Sequence, residues 1–396
     1  MLSGKIHRYI RGEIVTPFVL GLTVFTFVLL MGRMLRLAEL MINKGVPFVD
    51  VFKLFAFLLP SFFVITVPLA FLLGILMGLG RLSGDSEVVA MKASGISLYA
   101  ILRPVMVLAT LVAILTAVLT LYAQPRGNFA FRHQVFEIAQ NRADVGIQPR
   151  IFNDEFEGLV IYTNDLEEQS GVMKGVFISD ERKEGKSSIV LAESGRLIPD
   201  RQALTLTLRL EEGSIHRRVA DQEQKSYQII QFASYDVLLD LGGQAGEEGE
   251  DYRKKDKEMT LAELDKAIDE ASSESQANSY AVEKHQRFAL PFAPFVFALI
   301  GVPLSIQSSR SGRGGGFAIS LCVALVYYFL LATAKTMGEE GFLPPAISMW
   351  IPNVVFLIGG LYQFHQAAQE KPSILLEWVF ARARQIRRLF HRGHSS

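Results

Sequence analysis

Two small groups of side chains in this chain have types and spacings suited to chemistry. Arg33 and Arg36 stand three residues apart at the end of an apolar run, so a helix would set both on one face. Guanidinium groups on one face grip phosphate with paired hydrogen bonds. Two arginines that merely snorkel to lipid headgroups would have the same spacing. The second group lies in a polar stretch between two apolar runs, residues 83–97, which reads Ser-Gly-Asp-Ser-Glu-Val-Val-Ala-Met-Lys-Ala-Ser-Gly-Ile-Ser. Glu87, Ala90, Met91 and Ser94 fall at offsets of three and four, which predicts one shared helical face pointing away from a bilayer. Such a helix reads as a handle for a cytoplasmic engine. A glutamate at a helix start is also what the helix dipole favours by itself, at ~0.3–1 kcal/mol.

Other chemistry is missing from the sequence. A phosphate-binding loop needs Gly-x-x-x-x-Gly-Lys-Ser/Thr so that backbone amides can wrap the phosphates. The nearest stretch, Asp180-Glu-Arg-Lys-Glu-Gly-Lys-Ser187, lacks the first glycine, precedes no helical pattern and reads as a hairpin turn. Residues 311–316, Ser-Gly-Arg-Gly-Gly-Gly, read as a flexible spacer. There is no nucleophile elbow and no zinc-protease motif, and the seven histidines show no ligand spacing, so neither a catalytic residue nor a metal site is predicted. The single cysteine, Cys322, sits in an apolar run and can form no intrachain disulfide.

The elements that must hold these residues are mostly membrane helices. Half of the 396 residues are hydrophobic and the formal net charge is zero, yet the apolar residues gather in a few long runs. Candidate spans are residues 14–31, 51–77, 98–122, 288–306, 317–335 and 346–364, with prolines 17, 60, 68, 104, 291, 294, 303 and 352 marking bends or ends. None carries a mid-membrane carboxylate or lysine, which would cost roughly 3 kcal/mol and is normally kept for an ion relay. The first run follows Lys5, Arg8 and Arg11 but is too long for a cleaved signal, so it reads as a retained anchor. Counting Lys and Arg puts the amino end, the 81–103 loop, the Arg310/Arg313 loop and the basic carboxyl tail on the cytoplasmic side. Residues 124 to 287 then fall on the opposite side.

Within that segment the pattern changes to period two. Strands are predicted at 159–162, 175–179, 188–192, 203–210, 227–232 and 235–239, with turns at Asn164-Asp165, Gly185, Pro199-Asp200 and Glu212-Gly213. Short strands at even spacing predict a sandwich, jelly roll or similar curved sheet. Thr260-Leu-Ala-Glu263 has capping-box spacing and opens a helix that Ser272-Ser-Glu-Ser275 interrupts. Residues 373–391 are amphipathic and arginine-rich and read as a helix lying on the inner membrane surface. The predicted fold class is a membrane α-helical protein of six transmembrane helices with an inserted all-β domain, which the family resemblance given next implies to be periplasmic and jellyroll-like. Its parts are an N-terminal transmembrane half at 1–123, which includes the coupling helix 84–96, a β-domain at 124–257 and a helical connector at 258–287. A C-terminal transmembrane half at 288–366 and a basic tail at 367–396 follow.

Three stretches together carry a family resemblance. They are Arg8-Tyr9-Ile10 with an anchor ending Arg33-x-x-Arg36, then Pro68-Leu-x-x-Leu-Leu-Gly-x-Leu-Met-x-Leu-Gly-Arg-Leu82 with Ser86-Glu87-x-x-x-Met91-x-Ala-x-Gly95, and finally Val302-Pro-Leu-Ser305 with Arg310-x-Gly-Arg313. In this order, around an inserted β-domain, the chain resembles the lipopolysaccharide-export permeases, the LptF/LptG family of ABC transporters. The last of the three leans toward the LptF side of the family. The glycine-rich stretch 312–316 and the basic tail depart from the family pattern.

The resemblance implies a heterodimer with an LptG-like permease in the inner membrane of a Gram-negative bacterium, seated on two copies of an LptB-like cytoplasmic ATPase. It also implies an LptC-like bitopic partner, lipopolysaccharide as cargo and no nucleic-acid partner. This chain would bind no cofactor, the ATP and magnesium belonging to the ATPase. The resemblance gives Glu87 the role of engaging the ATPase and sets Arg33 and Arg36 near lipid phosphates. Acyl chains must not meet bulk water, since each methylene exposed costs about 0.8 kcal/mol. An apolar chamber lined by spans one, two and five is therefore expected, with Phe25, Leu29, Phe63, Phe317, Leu321 and Leu325 as lining residues. Two other classes stay open on the residues alone: a non-transporting envelope-assembly scaffold, and an ion-coupled transporter whose sodium site is built from carbonyls of broken helices.

Overall fold

The computed structural model describes residues 2–44, 47–141, 149–156, 158–167, 171–182, 188–200, 205–220, 225–239, 254–307 and 312–370. The helices are α1 (Leu2–Lys44), α2 (Phe48–Gly84), α3 (Glu87–Ala93), α4 (Leu98–Val118) and α5 (Gln124–Asn141), with one π-helical turn, Leu119–Ala123, between the last two. Six strands follow: β1 (Asn153–Phe156), β2 (Leu159–Glu167), β3 (Val172–Asp180), β4 (Ser188–Asp200), β5 (Thr205–Ala220) and β6 (Lys225–Leu239). After the strands come α6 (Leu261–Asp269), α7 (Glu274–Ala289), α8 (Ala293–Gln307), α9 (Gly312–Glu339) and α10 (Pro345–Ala368). The carboxyl-terminal amphipathic segment expected from the sequence lies outside the described residues.

Among the described residues six helical segments are long and apolar enough to cross a membrane: Gly4–Met34, Phe48–Gly84, Leu98–Ile138, Glu274–Ile306, Gly316–Glu339 and Pro345–Ala368. The chain divides into two compact units. One comprises Met1–Gly32, Leu59–Pro125 and Met259–Ser396, the other Arg33–Leu58 and Arg126–Glu258. Residues 33–58, which the sequence grouped with the N-terminal membrane half, thus cluster with the β-domain.

In the helical unit α2 and α8 form the middle. Phe71, Leu72, Ile75 and Leu76 of α2 and Phe297, Ala298 and Val302 of α8 are buried in one core. The packing rests on close backbone approach: a Cβ at Gly78 would lie 2.5 Å from the Glu13 carbonyl oxygen, and one at Gly74 2.9 Å from that of Ile14. A Gly-x-x-x-Gly stripe on α2 thus seats α1, as in membrane helix pairs generally. Gly312 to Gly316, expected as a spacer, instead open α9. A Cβ at Gly316 would come within 3.3 Å of the Leu76 carbonyl oxygen, so the small residue lets α9 approach α2.

Breaking a helix in a membrane frees carbonyls that must find donors. Pro291 leaves the Arg287 carbonyl without its helical partner, and Thr120 Oγ1, in the π turn, donates to it at 3.1 Å. Ala293 N–H turns to Leu290, which frees the Ala289 carbonyl; Asn353 Nδ2 of α10 donates to it at 2.8 Å. Tyr327 Oη of α9 in turn donates to Asn353 Oδ1 at 2.9 Å. The Thr260/Glu263 capping box that starts α6 is present as expected.

The β-unit is one antiparallel sheet whose six described strands pair in sequence order. β1 was not expected, and the two runs 227–232 and 235–239 form the single strand β6. Alternation slips midway along the strands. Leu159, Ile161 and Thr163 are buried in β2, but the next inward residue is Leu166; in β3 the buried positions are Met173, then Val176 and Ile178. β4 steps from Ala192 to Gly195 and β5 from Leu210 to Gly213. Strand registers are constant across the slip, so neighbouring strands step together and the sheet creases along one line. Gly175 (φ 62°) and Glu212 (φ 49°) lie on that line. A Cβ at Gly175 would sit 2.5 Å from Asn164 Nδ2, a second reason for glycine there.

Candidate functional site

The segment that carries Glu87 forms a short helix tied down on several sides. Val88 is buried in the helical core and Met91 and Ile96 pack partly against it. Met91 therefore points inward, unlike the outward face expected from spacing alone, while Val89, Ala90 and Ser94 are exposed. Gly95, with φ 83°, ends the helix. Ser97 then caps α4 by accepting from the Ala100 N–H.

Glu87 itself is half-buried, and Tyr9 Oη of α1 donates to its Oε1 at 3.1 Å. Next to it Arg81 Nη2 reaches Glu13 Oε1 at 3.1 Å. Ser83 Oγ donates to the Ile306 carbonyl at the end of α8, and Lys92 Nζ lies 3.3 Å from Glu370 beyond α10. The starts of α1 and α4 and the ends of α2, α8 and α10 therefore meet at one end of the helical unit. These are the same segments that the Lys and Arg count assigned to one side, with the end of α8 leading into the Arg310/Arg313 connection.

The structure treats the expected lipid-facing residues unequally. Arg33 is exposed on α1; Arg36 continues the same helix, but its side chain lies outside the described residues. Phe25 is buried and stacks on Phe317 of α9, with centroids 6.1 Å apart and planes 19° from parallel. Phe63 packs partly against the helical core. Leu29, Leu321 and Leu325 are exposed. Phe317, Leu321 and Leu325 recur every four residues and form one apolar stripe on the outside of α9. Only 22% of the most apolar window of the first span and 28% of that of the fifth is buried, against 78% for the second. The α1 and α9 faces are thus largely uncovered within this chain, as are those of the sixth span (33% buried) and the third (39%).

Two features escaped sequence reading. One is a buried ion pair at the head of the fourth span, where Arg287, 1% exposed, reaches Glu283 Oε1 at 2.9 Å through Nε and donates to the Met259 carbonyl through Nη1. The (i, i+4) spacing was visible, but burial was not. The other is an open groove of about 530 Å³ along the sheet crease, lined among others by Tyr162, Phe177, Leu191, Glu193 and Glu212. Leu208 and Leu210 of β5 lie in the sheet core. The 180–187 stretch joins β3 to β4, whose Asp180 and Ser188 are paired, so it links a hairpin and not a strand to a helix.

The family model of the lipopolysaccharide export system permease LptF/LptG matches residues 8–366. The chain belongs to this family. It is 24% identical over 359 residues to the Lipopolysaccharide export system permease protein LptF of Escherichia coli (strain K12), covering 89% of this chain and 92% of that protein. The protein of the same name from Shigella flexneri matches equally. An uncharacterized protein of Rickettsia prowazekii is 21% identical over 191 residues, 48% of this chain and 52% of its own length. The family match runs through the spans, the α3 segment and the inserted sheet alike. The chain is accordingly a multi-pass membrane permease of the lipopolysaccharide-export family.

Proposed function

We propose that this chain is one of two permease subunits of an ATP-driven exporter that lifts lipopolysaccharide from the outer leaflet of the inner membrane and passes it toward the outer membrane. The observation that carries the reading is the α3 handle, whose exposed Ala90 and Ser94 project from the end of the unit where helix termini converge. That end faces the cytoplasm and receives an LptB-like ATPase, two copies serving this chain and its LptG-like partner. The β-unit lies in the periplasm and adjoins an LptC-like bitopic protein. No ATP site is needed in this chain, because the work enters through the handle.

The exposed stripes of α1 and α9 support a chamber completed by the second permease, with Leu29, Phe317, Leu321 and Leu325 on its wall. Exposing the acyl chains of one lipid would cost on the order of tens of kcal/mol, so the chamber must stay continuous with an apolar path outward. The creased sheet, with its groove beside Phe177 and Leu191, supports the β-unit as the next station. Arg33 and Arg36 would meet the lipid phosphates at the outer end of α1.

Two experiments test this reading. Glu87→Ala in the co-expressed complex is expected to cut ATPase retention and export at least tenfold; wild-type values for both would refute the handle. Exchanging both Arg33 and Arg36 for Glu is expected to abolish photo-crosslinking of lipopolysaccharide to α1, and unchanged crosslinking would remove the phosphate role.

A further inference from the structure

Glu87 is not a free surface carboxylate. Its Oε1 accepts from Tyr9 Oη at 3.1 Å, and Tyr9 lies 78 positions earlier, on α1. Under this bond Ile10 and Ile14 of α1 are fully buried in the same core as Leu82 and Val88. One to two turns along, the Glu13 and Ile14 carbonyls rest against Gly78 and Gly74 of α2, where a Cβ would approach within 2.9 Å. Arg81 of α2 is paired with Glu13 of α1 at 3.1 Å. The inner end of α1 is thus clasped to the end of α2 by backbone contact and an ion pair, and the Tyr9 phenol, which also meets Arg81, ties it to α3 through Glu87.

We propose that Tyr9 is a positioning residue that holds Glu87 and makes α1 follow α3. The inference rests on the permease reading for the movement itself, and on geometry alone for the contact. A phenol suits the task because it donates without adding charge. It anchors one carboxyl oxygen of Glu87 without bringing a counter-charge of its own. An arginine in the same place would fix the carboxylate but neutralise it. The consequence is a direct route from handle to chamber. α1 carries Phe25 and Leu29 on the same continuous helix as Tyr9. A displacement of α3 therefore reaches the α1 wall without first passing through the whole of α2 and α4.

The test uses the full-length chain and its co-assembled complex. In the chain alone, amide exchange is followed over residues 87–93 in wild type, Tyr9→Phe, Glu87→Ala and the double variant. Tyr9→Phe keeps the ring and removes only the hydroxyl. We expect about three- to tenfold faster exchange in α3, as befits one partly exposed bond to a charged acceptor, and no further increase when Tyr9→Phe is added to Glu87→Ala. An unchanged rate, or additive effects in the double variant, would overturn the positioning role. Glu87→Gln, which keeps an acceptor oxygen, is expected to retain most of the protection; its loss there would likewise count against the bond. In the complex, lipopolysaccharide released per ATP hydrolysed is expected to fall severalfold in Tyr9→Phe, and an unaltered ratio would overturn the link from α3 to α1. Should the wild-type chain bind no ATPase while α3 exchange still responds to Tyr9→Phe, the contact stands and the permease reading falls instead.

Discussion

Asp180 closes β3 with its carboxylate held by the Arg182 guanidinium, whose Nε donates at 2.9 Å, and by the Arg182 backbone N–H at 3.1 Å. Burial alone would raise this carboxyl, but the Arg182 hydrogen bonds outweigh it and hold the group below the usual carboxylate range. A carboxyl depressed in the folded state contributes stability above its unfolded value, about 3.9, and loses it as pH falls through the folded value. The β-unit is therefore expected to weaken below about pH 4. Asp180→Asn should remove about 1–2 kcal/mol at pH 7 and flatten that acid limb, as read by urea unfolding at both pH values. Thr120 offers a second residue-scale test. Thr120→Val keeps the shape but strips the donor from the Arg287 carbonyl, so a loss of about 1–3 kcal/mol in detergent unfolding is expected. A neutral result would mean that the freed carbonyl has another partner.

Among the elements, α2 is the one the others are built around, and its small residues set the spacing. Gly78→Ala puts a methyl 2.5 Å from a backbone oxygen of α1 that no side-chain rotation can relieve. The helix pair must separate, at a cost of about 1–3 kcal/mol, which a lower melting temperature of the purified chain would report. Gly80, with nothing within 4 Å of its Cβ position, is the control: Gly80→Ala should be neutral or slightly stabilising. The α3 segment shows the limit of spacing as a guide to a face. Offsets of three and four grouped Met91 with Glu87, Ala90 and Ser94, yet Met91 turns toward the core because apolar neighbours are available on that side. The glycine-rich start of α9 shows the opposite error. Local propensity argued for a spacer, and tertiary approach to Leu76 made the same glycines useful inside a helix.

At the scale of the whole molecule, the two units have separate cores, one built on α2 and α8, the other under the sheet together with Phe129 and Phe136 of α5. Two thermal transitions are expected by calorimetry, with Asp180→Asn lowering one of them and Gly78→Ala the other; a single transition shifted by both would contradict independent cores. Much of the architecture was legible beforehand, because long apolar runs and period-two alternation each follow from the chemistry of a side chain and its immediate neighbours. The six spans, the inserted strands and the Thr260 cap are of this kind. The place of Glu87, on a polar segment between two spans, was legible as well. Its partner Tyr9 was not, since a bond across 78 positions depends on how two helices pack. The same holds for the crease shared by neighbouring strands, for Thr120 and Asn353 answering the carbonyls freed by proline, and for Arg287 buried beside Glu283. Apolar periodicity and charge are carried residue by residue, so the chain alone determined which segments cross a bilayer and which fold as a sheet. Distance between remote backbones is a property of packing, so only the tertiary structure decided which polar groups meet and which apolar faces are left open for a partner.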